Sequence, residues 1–182
     1  MARPDHELDR SEITDLLTEL GRRLHAQGVE ATLYIVGGAA IAIQFDGRRV
    51  TKDVDAIFHP QATVRAEAER MAAERGLPKR WLNDSAAAFV PGPSDDVDAI
   101  PFEAPGLAVS IASPRHLLAM KMAAFRPTDR PDLARLFEAL QITSPEQAAD
   151  MAAEVYGDHH GLPSRAELLL VAEATLARMR RR

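Results

Sequence analysis

The chain has 182 residues, 46% hydrophobic and 27% charged, enough to bury one sizeable core, or a core with a helical appendage, without cross-links. Its lack of cysteine excludes disulfides, thiolate metal sites and a cysteine nucleophile, so any chemistry must come from carboxylates, Lys, Arg, His or hydroxyls. A net charge of −5 argues against a surface that coats nucleic acid all round, while leaving room for a local basic groove.

The segment Met1 to Glu7 carries charges where a signal peptide needs an apolar core, and no uninterrupted apolar run reaches about 18 residues. The expectation is a soluble, cytoplasmic protein with no membrane partner. From Ser11 to Gln27, the residues Ile13, Leu16, Leu17, Leu20 and Leu24 recur at helical spacing, with Ser11 as candidate N-cap and Gly28 as stop. Ala31 to Val36 is β-branched and aromatic and reads as a strand. Gly37-Gly38 follows, and Ala39 to Phe45 reads as helix. After a turn at Asp46-Gly47, Val54 to Phe58 reads as a second strand, ended by His59-Pro60. A polar, Ala-rich helix spans about Thr63 to Arg75. In 81–113, Pro91, Gly92, Pro93, Pro101 and Gly106 divide short apolar pieces, which read as one or two strands joined by loops. Helices are expected from Pro114 to about Phe125, Pro131 to Leu140, Pro145 to Tyr156 and Ser164 to Arg181.

The predicted fold is therefore α/β (α+β): a small mixed sheet flanked by helices, with a C-terminal helical bundle. The predicted division is 1–113 for an α/β core with its N-terminal helix and 114–182 for a helical region packed on it.

Asp53 and Asp55 lie two apart at the start of the second strand, so alternation directs both carboxylates to one face. Two hard oxygen donors suit Mg²⁺, which takes a few carboxylates and completes its octahedron with phosphates and water. Two solvated acids at a strand edge are the alternative. Gly37-Gly38, between strand and helix, allows backbone N–H groups and a positive helix end to approach a phosphate. Arg48, Arg49 and Lys52 bring cations just ahead of the acids, fit either to hold a triphosphate or RNA backbone or to balance the local charge. At about 100° per residue, Lys121 falls inside the apolar stripe of Leu117, Leu118 and Phe125, where a charge needs a partner or must snorkel outward. Asp129 and Asp132 flank Pro131 at the next helix start. Asp129 reads as a cap, and Asp132 sits at the edge of the stripe Leu133, Leu136, Phe137 and Leu140. The pentapeptide Asp53 to Ile57 recurs as Asp96 to Ile100, which makes Asp98 a further candidate acid. The tail arginines Arg178 and Arg180 to Arg182 read as dipole-complementing cations with a role in solubility or partner binding.

The stretch from Gly37 to Phe58, G-G-A-A-I-A-I-Q-F-D-G-R-R-V-T-K-D-V-D-A-I-F, resembles the active-site signature of the polymerase β-like nucleotidyltransferase superfamily. More narrowly it is similar to small bacterial nucleotidyltransferases of the DUF6036 and AbiEii (MenT-type toxin) kind. The similarity extends through Trp81-Leu82-Asn83-Asp84 and Leu117 to Lys121, with Arg126, Asp129 and Asp132-Leu133. It departs from the pattern at Ala39, where a hydroxyl is common. The resemblance implies a minimal nucleotidyltransferase fold and Mg²⁺ held by Asp53 and Asp55. It also implies nucleotide contacts from Gly37, Gly38, Arg48 and Lys52, phosphate charge met by Lys121, and a supporting acid or base at Asp132. Asp98, Asp129 and Asp84 stand as alternatives for that third acid. The implied reaction transfers a nucleoside monophosphate from an NTP to an acceptor hydroxyl. The implied acceptors are a tRNA 3′ end, for a toxin with a cognate antitoxin, a small-molecule hydroxyl or a protein. A non-catalytic, antitoxin-like binding module and a metal-dependent nuclease are the rival readings.

Overall fold

In the computed structural model, which describes residues 7–45 and 50–181, the apolar run Ala31–Val36 forms a buried strand, β1. Ahead of it, helix α1 (Arg10–Ala26) presents Ile13, Leu16, Leu17, Leu20 and Leu24 inward. Its cap is Asp9 and not Ser11: Asp9 accepts from the Glu12 amide while the Glu12 carboxylate accepts from the Asp9 amide. A reciprocal pair satisfies two otherwise orphaned N–H groups, an advantage a lone serine lacks. Helix α2 (Gly37–Gln44) starts directly at the end of β1 and buries Ala39 to Ile43. Strand β2 (Val54–His59), helix α3 (Gln61–Arg75) and the short strand β3 (Leu82–Asn83) follow. Trp81, fully buried, anchors β3 by donating its indole N–H to the Ala68 carbonyl at 2.9 Å.

Segment 81–113 contains three strands against the one or two expected: β3, β4 (Ile100–Ala104) and β5 (Leu107–Ile111). The sheet runs β3-β2-β1-β5-β4, with β1 antiparallel to β2 and parallel to β5. β4 is the strand that its prolines obscure. It lies at the sheet edge, where Pro101 pairs opposite Ser110 and its missing N–H breaks no interior ladder. Ala86 to Val90 contributes no strand; part of it is a single 3₁₀ turn, Ala87–Phe89. A close approach ties α1 to the β4–β5 turn: a Cβ on Gly21 would lie 2.1 Å from the Pro105 carbonyl oxygen. Only glycine fits there.

The C-terminal helices are α4 (Pro114–Ala124), α5 (Arg130–Ala139), α6 (Pro145–Tyr156) and α7 (Arg165–Met179). Ser113 caps α4, and reciprocal boxes formed by Ser144 with Gln147 and Ser164 with Glu167 start α6 and α7. The chain divides into two compact units. The first takes the described residues of Met1–Ala88 and Ala99–Ile111, the second those of Phe89–Asp98 and Ala112–Arg182. Within the second, α4 packs on α5 and α6, and α7 packs on α5 and α6. The fold is a five-stranded mixed sheet with flanking helices and a C-terminal helical segment. Among the described residues, no helix is long and apolar enough to cross a membrane.

Candidate active site

β2 begins at Val54, so Asp53 sits one residue ahead of the strand and Asp55 inside it. In register, Asp55 lies between Val36 of β1 and Asn83 of β3. Paired neighbours in a sheet share a face, so Asn83 and Asp55 project together. Asn83 Nδ2 donates to Asp53 Oδ2 at 3.1 Å, which brings Asp53 to the same face. Asn83, opposite Asp55 in register, thus holds Asp53 from β3. Burial pushes the Asp53 carboxyl above its ordinary value, against the Asn83 hydrogen bond and the Arg80 charge, which pull it down. A half-buried anion of this kind favours an added cation.

Gly37 has φ +66°, a left-handed conformation that glycine adopts without steric cost. A Cβ there would stand 3.2 Å from Asp55 Oδ2. The absent side chain is what lets this carboxylate lie against the start of α2. Val36, the residue at the N-cap position, supplies no side-chain cap to that helix start. We expect Gly37→Ala to lower the melting temperature by several degrees, since a non-glycine residue in this region costs about 1–2 kcal/mol. It should also displace Asp55, and a variant with unaltered melting and unaltered nucleotide binding would contradict this placement.

Lys52 is exposed, and Arg48 and Arg49 lie outside the described residues. Asp84 is fixed on α3's side of the unit. Burial works against its charge, yet Gln61, its own backbone amide and Arg65, whose Nη2 lies 2.7 Å away, hold it below the ordinary carboxylate range. Asp98 is exposed, and the repeat that contains it takes another role: its first acid, Asp96, is buried. Asp96 accepts the Ser113 amide at 2.8 Å and faces His116 Nδ1 at 3.1 Å, tying 89–98 to the start of α4. Among the described residues, no three or more His, Asp and Glu side chains are arranged to hold a metal ion.

In the second unit Lys121 finds the partners its apolar position requires. Its Nζ lies 2.6 Å from Asp129 Oδ1 and 2.9 Å from Asp132 Oδ2. Asp129 stands at the start of α5 but makes no side-chain cap, contrary to the capping expectation. The buried ammonium competes successfully for that carboxylate, because a charge-assisted bond inside a protein outweighs one to an amide near solvent. Asp132 is fully buried.

A family model described as a nucleotidyltransferase of unknown function (DUF6036) matches residues 12–145. The chain belongs to this family. The match runs from α1 through the whole sheet and α5 to the first residue of α6, so this nucleotidyltransferase family encompasses both the Asp53–Asp55 face and the Lys121 cluster. No curated protein and no solved structure matches the chain. The matching segment Trp81 to Asp84 gives Asn83 no role of its own; strand pairing, which sets it opposite Asp55, marks it as a site residue.

Proposed function

We propose that the protein is a Mg²⁺-dependent nucleotidyltransferase that moves a nucleoside monophosphate from an NTP to an acceptor hydroxyl. The observation that carries this reading is the pairing of Asp55 with a side-chain-free Gly37, beside an Asp53 held by Asn83. Two carboxylates with phosphate oxygens suffice for Mg²⁺, so the donors present fit the ion. Asp53 and Asp55 would hold it, and bound there it would neutralise charge developing on the phosphoryl oxygens. Gly37 and Gly38 offer backbone amides to the phosphates, and Lys52, with Arg48, adds cationic charge. The acceptor oxygen forms a bond to the α-phosphorus as the bond to the bridging oxygen breaks, and pyrophosphate leaves. We assign phosphate binding to Lys121 and metal support or proton acceptance to Asp132; an ammonium has three donors, so Lys121 can meet a phosphate while holding both carboxylates.

The acceptor we favour, following the resemblance, is a tRNA 3′ end, as in the cytoplasmic toxin of a toxin–antitoxin pair. The test is incubation of the purified protein with each labelled NTP, Mg²⁺ and a tRNA pool, with an EDTA control. Label on tRNA with equimolar pyrophosphate, abolished by EDTA, is the expected result. Label appearing on protein or a small hydroxyl compound corrects the acceptor alone. RNA shortening without NTP means a nuclease. Absence of label from all four NTPs supports a non-catalytic, antitoxin-like binding module, a reading favoured by the lack of a third converging acid among the described residues.

A further inference from the structure

Within the second unit, Phe125, Leu133, Val171, Ala174, Thr175 and Ala177 line a groove of about 490 Å³, a size suited to a ligand of one or two rings. Arg126, Arg130, Arg178 and Arg181 line it as well. All four arginines are exposed, and none is ion-paired with a described carboxylate. Gathered on one groove, they differ from Arg23, Arg65, Arg75, Arg115 and Arg165, which are held in salt bridges. Complementing helix dipoles accounts for Arg178 and Arg181 at the end of α7. It does not account for Arg130, the first residue of α5, where a cation meets the positive helix end.

Phe125 supplies a second, independent observation. It ends α4 with φ 44°, in the left-handed region where glycine is the usual residue, and 60% of its surface is exposed. An aromatic ring held there costs backbone energy and gains no burial, which marks it as a displayed contact. Unpaired guanidiniums around an apolar floor with an exposed ring match a phosphate-bearing chain whose bases can stack. They match an acidic peptide less well, since the ring would then serve nothing in particular.

We propose that this groove binds an unpaired nucleic-acid strand, with phosphates on the four arginines and a base stacked on Phe125. The site needs neither NTP nor metal, and stands independently of the transfer reading. The test is fluorescence anisotropy of labelled twelve-nucleotide single strands, one of RNA and one of DNA, with the full chain and without NTP or Mg²⁺. Both strands should bind, the tighter arm identifying the natural source. The log–log dependence of affinity on salt should have a slope of about −2 to −3, as expected for three or four neutralised phosphates. Arg130→Glu with Arg178→Glu should weaken binding by roughly tenfold or more, and Phe125→Ala by at least about fivefold. The assay contains neither NTP nor metal, which separates this site from failure of the transfer reaction. Should the double charge reversal not fold, Phe125→Ala and the salt slope still decide. Unchanged affinity in the folded Arg or Phe variants overturns the proposal, as does displacement by free NTP as effective as displacement by unlabelled strand at equal phosphate.

Discussion

Asp55→Ala is expected to reduce NTP-dependent labelling by about a hundredfold or more, with the melting temperature changed by no more than a few degrees. The magnitude follows from losing an oxygen donor at the place where transition-state charge must be met. The small stability change follows from position: Asp55 is only half-buried, and a smaller side chain beside Gly37 creates no clash. Asp53 behaves differently. Asp53→Ala leaves the Asn83 amide, itself buried, without its carboxylate acceptor, and a buried group left unmade costs about 1–3 kcal/mol. Asp53→Asn keeps an acceptor oxygen for Asn83 while removing the charge. Because burial raises the Asp53 carboxyl in the folded state, ionisation opposes folding as pH rises through that range. Asn at 53 should therefore leave stability at pH 7 unchanged or slightly higher, while labelling falls as far as with Asp55→Ala. Stability and labelling falling together in Asp53→Asn would assign the aspartate to the fold and remove it from the chemistry.

The parts of this site that were legible beforehand are those written in local sequence. A-T-L-Y-I-V followed by two glycines can hardly be anything but a strand turning into a helix, and Asp53 and Asp55 sit two residues apart in plain view. Likewise α6 and α7 lie close to the bounds expected of them. What was hidden depends on contacts between distant segments. Asn83 acquires meaning only when β3 pairs with β2, a two-residue strand too short to show alternation. β4 carries a proline and mostly exposed residues, the reverse of an interior strand pattern, and only its edge position makes it possible. Asp96 copies the residue context of Asp53 letter for letter and does something else. Its tertiary neighbours are Ser113 and His116 where those of Asp53 are Asn83 and Arg80.

Lys121 is where local and tertiary reasoning meet, and Lys121→Met should destabilise the protein by about 3–5 kcal/mol, measured by urea or thermal unfolding. Methionine matches the length and apolar character of the lysine stem, so packing on α4 is retained and the loss is electrostatic. Without the ammonium, Asp129 and the fully buried Asp132 face one another as like charges in a low-dielectric setting. Adding Asp129→Asn and Asp132→Asn to Lys121→Met should restore part of the stability, because the carboxylates no longer need a cation. That recovery separates two roles for the lysine. If the cluster is structural, labelling by the triple variant returns along with its stability. If Lys121 meets phosphate charge or Asp132 serves the metal or the proton, the triple variant regains its melting temperature but not its labelling, a deficit in KM for the NTP pointing to the lysine and one in kcat to the aspartate.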